Sequence, residues 1–93
     1  MNNKNVLENI IATEKNKLEK LISYQQYSDA NDKQGYVDGL FQYYACDTDQ
    51  TRKKNEDFAQ WNLKGSVEEE QYGKASYWQS WLNGWEVAKN IAQ

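Results

Sequence analysis

The sequence has no histidine and no proline, one cysteine, and five glycines in 93 residues. Without histidine it lacks the side chain that most often serves as general base near neutral pH, and the base on which serine and cysteine nucleophiles usually depend. One cysteine and no histidine exclude a structural zinc or an iron–sulfur cluster held by a single chain. The lone thiol, Cys46, has no internal disulfide partner and suits a reducing compartment. The absence of proline and the scarcity of glycine argue against an all-β fold with many turns and against collagen-like or low-complexity chains. No apolar run approaches the ~20 residues of a membrane span, and MNNKNVLENIIATEK lacks the long apolar segment of a signal peptide. The expected location is cytoplasmic.

An excess of positive charge is missing too. Fourteen acidic residues against eleven basic ones give a net charge of −3, whereas a protein that tracks phosphates is normally basic. Direct nucleic-acid binding is therefore disfavoured. An acidic protein can still bind nucleic-acid-binding proteins by presenting charge to their basic grooves. Gly35 and Gly39 lack the lysine and serine of a phosphate-binding loop. Asp47 and Asp49 are spaced like the first two ligands of a calcium loop, but its glycine position is Arg52 and its final glutamate position is Phe58. No catalytic residue, metal ligand or cofactor is expected.

What the chain has in quantity is aromatic rings: seven Tyr, four Trp and two Phe. Tyr and Trp carry polar handles, so a core built from them surfaces at its edges. A mean hydropathy of −1.07 agrees with a thin core.

Asn5 with Glu8 reads as a capping box. Val6, Leu7, Ile10, Ile11, Leu18, Leu21 and Ile22 follow at spacings of three and four, predicting a helix over 5–26. SDANDKQG offers turn chemistry, with N-cap candidates at Ser28, Asp29 and Asn31. Tyr36, Val37, Leu40, Phe41 and Tyr44 then predict a helix near 31–46. Its Gly35 and Gly39, four apart on one face, each cost about 1 kcal/mol in a helix interior; the pair permits close backbone approach or leaves a notch for a large aromatic, and core packing is the expected account. Asp47 or Thr48 is placed to cap a third helix anchored by Phe58, Trp61 and Leu63, with Lys64–Gly65 as its C-terminus. Arg52, Lys53 and Lys54, the one basic cluster, read as a solvated face.

Ser66 with Glu69 reads as a second capping box, placing Glu68, Glu69 and Glu70 in the first turn of a terminal helix over 67–91. Along that helix Ala75, Trp78, Trp81, Leu82, Trp85, Ala88 and Ile91 share a face. The three tryptophans fall within about 60° of arc. Burying one indole is worth at most ~4–6 kcal/mol, and without these rings the helix has little else to bury. The expected fold is all-α: a small bundle of three or four antiparallel helices with an aromatic-rich core, a single domain over 1–93, with no convincing internal repeat. Gly35, Tyr36, Gly39, Trp78, Gly84 and Trp85 are the expected helix-contact residues. Tyr44, Tyr72, Tyr77 and Trp81, with Glu68, Glu69 and Glu70, are the expected partner-facing set.

Two segments resemble a known family. WLNGWEVA, residues 81–88, resembles the closing signature W-L-x-G-W-x-x-A of the ribosome modulation factor family, and GYVDG, residues 35–39, resembles its G-Y-x-x-G. Cys46 stands roughly where that family has C-P-Y, followed here by Asp47 and Thr48. The chain is longer between Cys46 and Trp81, and acidic where the family is basic. The resemblance implies a helical protein that docks on the small ribosomal subunit and silences translation, with Tyr36, Trp81 and Trp85 in its helix–helix contact.

The residues themselves point to a non-catalytic accessory protein of bacterial or phage type. It would inhibit or regulate a larger protein partner through an aromatic and acidic surface. The alternatives are the ribosome-associated factor and a nucleic-acid charge mimic. The mimic would place Asp47, Asp49, Glu56, Asp57 and Glu68–Glu70 in the basic groove of a nuclease or DNA-binding protein. A homodimer closed by the tryptophan stripe is a further class.

Overall fold

A computed structural model describes residues 3–93 as four helices: α1 Asn3–Ser23, α2 Tyr27–Ala45, α3 Asp49–Glu68 and α4 Tyr72–Ala92. No strand occurs among the described residues. Thr48 caps α3, its hydroxyl accepting the Thr51 N–H at 3.1 Å. The other expected boundaries move. α1 already runs at Asn3, so Asn5 lies inside it, and Glu8 accepts a hydrogen bond from the Tyr44 hydroxyl instead of reaching back to a cap. α2 starts at Tyr27 behind Gln26, which makes no side-chain cap, so Ser28, Asp29 and Asn31 are helical residues.

α1 and α3 end in the same way. Gln25 and Glu70 both adopt φ 59°, the left-handed region. The Gln26 N–H donates to the Leu21 carbonyl at 2.9 Å and the Gln71 N–H to the Ser66 carbonyl at 2.8 Å, each a Schellman closure. The stretch SVEEE therefore ends α3 and does not open α4. Ser66 donates to the Asn62 carbonyl at 2.7 Å and caps nothing, while Gly65 is interior to the helix. The added turn buries Ser66 beside α4, and that packing prevails over the roughly 1 kcal/mol that Gly65 costs the helix.

The two left-handed residues are 45 positions apart, and that offset exposes a duplication. QYSDANDKQGYVDGL, residues 26–40, aligns with QYGKASYWQSWLNGW, residues 71–85. Gln26, Tyr27, Ala30, Gln34 and Gly39 recur as Gln71, Tyr72, Ala75, Gln79 and Gly84. Gly35, Tyr36, Val37 and Asp38 are answered by Ser80, Trp81, Leu82 and Asn83. The expectation of no internal repeat is thus corrected: the chain is two helical hairpins related by an approximate twofold axis.

Each hairpin is antiparallel, as the bundle expectation has it. Lys33 pairs with Glu14 at 2.8 Å across the first, and Phe58 meets Trp78 edge to face across the second. The hairpins join through α2 and α4, which run side by side in the same direction. Asn31 donates to the Gly73 carbonyl at one end (3.1 Å), and the Tyr43 ring meets Trp85 at the other (5.0 Å). Glycine makes the approach feasible. A Cβ on Gly39 would overlap the Trp81 carbonyl oxygen, and one on Gly84 would overlap that of Tyr36. Those two contacts exchange under the 45-residue shift. Gly35 sits in the same way on the Tyr77 carbonyl.

With α1 and α3 outside this central pair, the molecule is a slab of 40 × 32 × 15 Å. Leu40 and Trp85 are fully buried, surrounded by Leu7, Ile11, Tyr43, Cys46, Ala59, Trp81 and Ala88. α1 brings Leu7, Ile11 and Leu18 to the interior, whereas the shift-equivalent positions of α3 are Arg52, Glu56 and Leu63. α3 is seated by Ala59 and Ser66. Phe58 and Trp61 lie about 100° and 160° around the helix from Ala59, so of the rings expected to anchor α3, Phe58 reaches Trp78 only from the flank and Trp61 faces outward. Arg52 leaves the solvated face assigned to it. Its guanidinium stacks 4.6 Å from the Tyr43 ring centre and donates to the Cys46 carbonyl at 3.0 Å.

Because the α2–α4 contact is backbone against backbone, Gly39→Ala and Gly84→Ala should each destabilise the fold by ~2–3 kcal/mol. Gly65→Ala, with open space around it, should stabilise by about 1 kcal/mol. Urea denaturation measures all three, and an unchanged midpoint for Gly39→Ala contradicts the contact.

Candidate functional site

The rings of α4 form one chain through the molecule. Phe58 meets Trp78 at 5.8 Å, Trp78 meets Trp81 at 6.0 Å, and Trp81 stacks on Trp85 at 5.0 Å with 15° between planes. Tyr43 and Arg52 continue it at the far side. Of the expected partner-facing set, this chain takes up Trp81. Trp81 is only 6% exposed, so it is removed from the partner-facing set: the close approach at Gly39 draws its indole under α2. Trp85 is likewise covered within the chain, so two of the three indoles of the stripe are turned inward. Trp78 is half-buried. Tyr77 is half-buried and donates to Asp38 across the α2–α4 contact, next to a Ser76 donation to Asp32. Tyr44, also half-buried, donates to Glu8 with the Lys4 ammonium 4.9 Å over its ring. Gly35, Tyr36, Gly39, Gly84 and Trp85 all lie at the α2–α4 contact.

The remaining members, Tyr72, Glu68, Glu69 and Glu70, are exposed together at the α3–α4 turn. Because α2 and α4 are parallel, the α1–α2 turn lies at the same end of the slab. It adds Ile22, Tyr24 and Tyr27, all exposed, while α3 adds exposed Val67. Tyr24 and Tyr72 are 74% and 67% exposed. Tyr24 and Tyr27 were not singled out from the sequence. The signal that finds them is the shift itself, since Tyr27 is the equivalent of Tyr72. Asp47, Asp49, Glu56 and Asp57, also named for charge mimicry, lie just ahead of the Thr48 cap or in the N-terminal half of α3, up to about 30 Å from the glutamates along a helix of this length.

A cleft of 410 Å³ follows the α3–α4 seam, lined by Trp61, Gly65, Ser66 and Trp78, with Lys64, Lys74, Glu68 and Glu69 around it. Its charges balance, so it selects no sign of ligand. Trp61, expected to anchor α3, is at 73% exposure the most open of the indoles and belongs to the surface.

The groups with displaced pKa values serve packing. Burial pushes the Cys46 thiol up, opposed by the Arg52 charge. The Tyr77 phenol is raised well above its ordinary value, first by burial, then by its hydrogen bond to Asp38 and that carboxylate's charge. A raised phenol pKa means the folded state favours the neutral ring. This contribution to stability is complete below pH ~10 and is lost as pH climbs beyond it. The urea midpoint should fall above pH ~10, and Tyr77→Phe should lower the midpoint at pH 8 while reducing the alkaline loss. An equal alkaline slope in both proteins contradicts the assignment.

No helix among the described residues is long and apolar enough to cross a membrane. Compared with protein-family models, with curated proteins and with solved structures, the chain gives no match in any of the three.

Proposed function

We propose that the protein is a non-catalytic binding module that regulates a larger protein partner, docking through the end of the slab where both hairpins turn. The observation that carries this reading is the concentration there of Ile22, Tyr24, Tyr27, Val67 and Tyr72, uncovered, beside three consecutive glutamates. Tyrosine supplies large, rigid contact area and is enriched at interface hot spots. Exposed apolar patches of this kind mark interaction sites more often than chance.

The local chemistry works against stability, which supports a role beyond folding. Glu68 lies in the last turn of α3, where the helix dipole disfavours a carboxylate by about 0.3–1 kcal/mol. Glu70 holds a left-handed conformation that glycine adopts more easily by about 1 kcal/mol. The first hairpin places Ser23 and Gln25 at the equivalent positions, with Lys20 in the last turn. A partner that fits would offer apolar recesses for the tyrosines and a basic rim for the carboxylates.

Affinity capture from bacterial lysate at low and high salt tests the reading. The captured partner should be lost with Tyr24→Ala/Tyr72→Ala and weakened by salt and by Glu69→Gln/Glu70→Gln. Full retention by both double variants rejects it. Glu70→Gly should meanwhile raise the urea midpoint. A second reading, with the ribosome as partner, draws on the way GYVDG and WLNGW face each other across one contact, as the family resemblance implies. Co-sedimentation with the small ribosomal subunit decides that version.

A further inference from the structure

Three of the five glycines are explained by the α2–α4 contact, and Gly73 lies in the first turn of α4. Gly65 is different. It is interior to α3, its backbone is helical, and a Cβ added there meets nothing within 4 Å. Alanine would serve the isolated chain better by about 1 kcal/mol. One turn before it stands Trp61, uncovered, and Phe58 is 58% exposed beside them. Elsewhere in this molecule the glycines in helix interiors, Gly35, Gly39 and Gly84, are where another helix seats.

We infer that the exposed flank of α3 beside the α3–α4 cleft is a self-association surface on which a second copy of the chain packs its own α3 antiparallel. The face is complementary to itself. Lys54, Trp61 and Glu68 recur every seven residues along it, with Phe58 and Gly65 on the adjoining line. A twofold axis at Trp61 stacks the two indoles, lays each Phe58 over the other copy's Gly65, and sets each Lys54 opposite the other copy's Glu68. Lys64 then lies near the other copy's Asp57. Neither Lys54 nor Glu68 has an ion pair within the chain among the described residues. A parallel arrangement would oppose lysine to lysine and glutamate to glutamate, so the charges select the antiparallel one.

The surface is modest. An aromatic side chain buries about 150–250 Å², so the exposed parts of two rings and their neighbours supply a few hundred Å² per copy, below the ~800 Å² of a standard interface. The dimer is therefore weak and concentration-dependent. Glu68 is shared with the turn surface, but Tyr24, Tyr72, Glu69 and Glu70 take no part in the dimer, so the variants that test the partner reading and those that test this inference are distinguishable.

Sedimentation velocity of the full chain, from low-micromolar to near-millimolar concentration, is the test. The weight-average mass should rise toward that of a dimer. Trp61→Ala and Gly65→Leu should each weaken association at least about tenfold, the 1.4 kcal/mol expected for loss of a central contact. Both positions are open to solvent, so at low concentration a urea midpoint unchanged for Trp61→Ala and not lowered for Gly65→Leu certifies the fold. Lys54→Glu and Glu68→Lys should each weaken association, and the double exchange should restore it. Three outcomes overturn the inference: a monomer at every concentration, a dimer indifferent to Trp61→Ala, or a double exchange without recovery. A monomer that binds a different protein through Trp61 overturns it as well.

Discussion

Everything in this fold depends on two helices being allowed to touch backbone to backbone. Gly39 receives the carbonyl of Trp81, and Gly84 receives the carbonyl of Tyr36. Once α2 and α4 lie that close, Leu40 and Trp85 are sealed between the hairpins. The polar groups that flank the contact also find partners across it: Asn31 with Gly73, Asp32 with Ser76, Asp38 with Tyr77. A thin core suffices because little solvent-filled volume remains between the central helices. The aromatic rings then fill the wedges left on either side, where α1 and α3 attach.

Those attachments are unequal, and the inequality shapes the surface. α1 carries leucine and isoleucine inward, so few rings are needed to hold it. α3 carries Arg52, Glu56 and Asn55 on or near its inner line and relies on Ala59 and Ser66 for close approach. Its large apolar side chains are left outside. Arg52 compensates in part by covering Tyr43 and satisfying the Cys46 carbonyl where α2 gives way to α3. The twofold relation between hairpins is thus kept in the backbone and abandoned in the side chains that dress it.

How far this could be read in advance follows from what each signal measures. Periodicity in α1, α2 and α4 comes from rows of apolar residues, and the helices exist where those rows are. Thr48 was legible because a capping hydroxyl acts within its own turn. The Ser66–Glu69 pattern misled because the same four residues suit a helix start in isolation; packing of Ser66 beside α4 carried α3 past them. Trp61 misled because size suggests burial, while a tight helix pair prefers small residues inside and sends the indole out. The repeat was obscured by exchanges such as Tyr36 for Trp81 and Leu40 for Trp85, and its offset became visible only through Gln25 and Glu70. Of the surface at the turns, Tyr72 and the glutamates are legible in the sequence. Tyr24 and Tyr27 are not, since nothing local says that two distant turns share one end.

The parallel course of α2 and α4 gathers Asn3, Ala92, Cys46 and Asp47 around a single cleft at the opposite end. Chain entry, chain exit and the α2–α3 connection therefore crowd together in space. A polypeptide opened between the hairpins and rejoined across that gap would thread α3 and α4 first and α1 and α2 second, yet build the same solid.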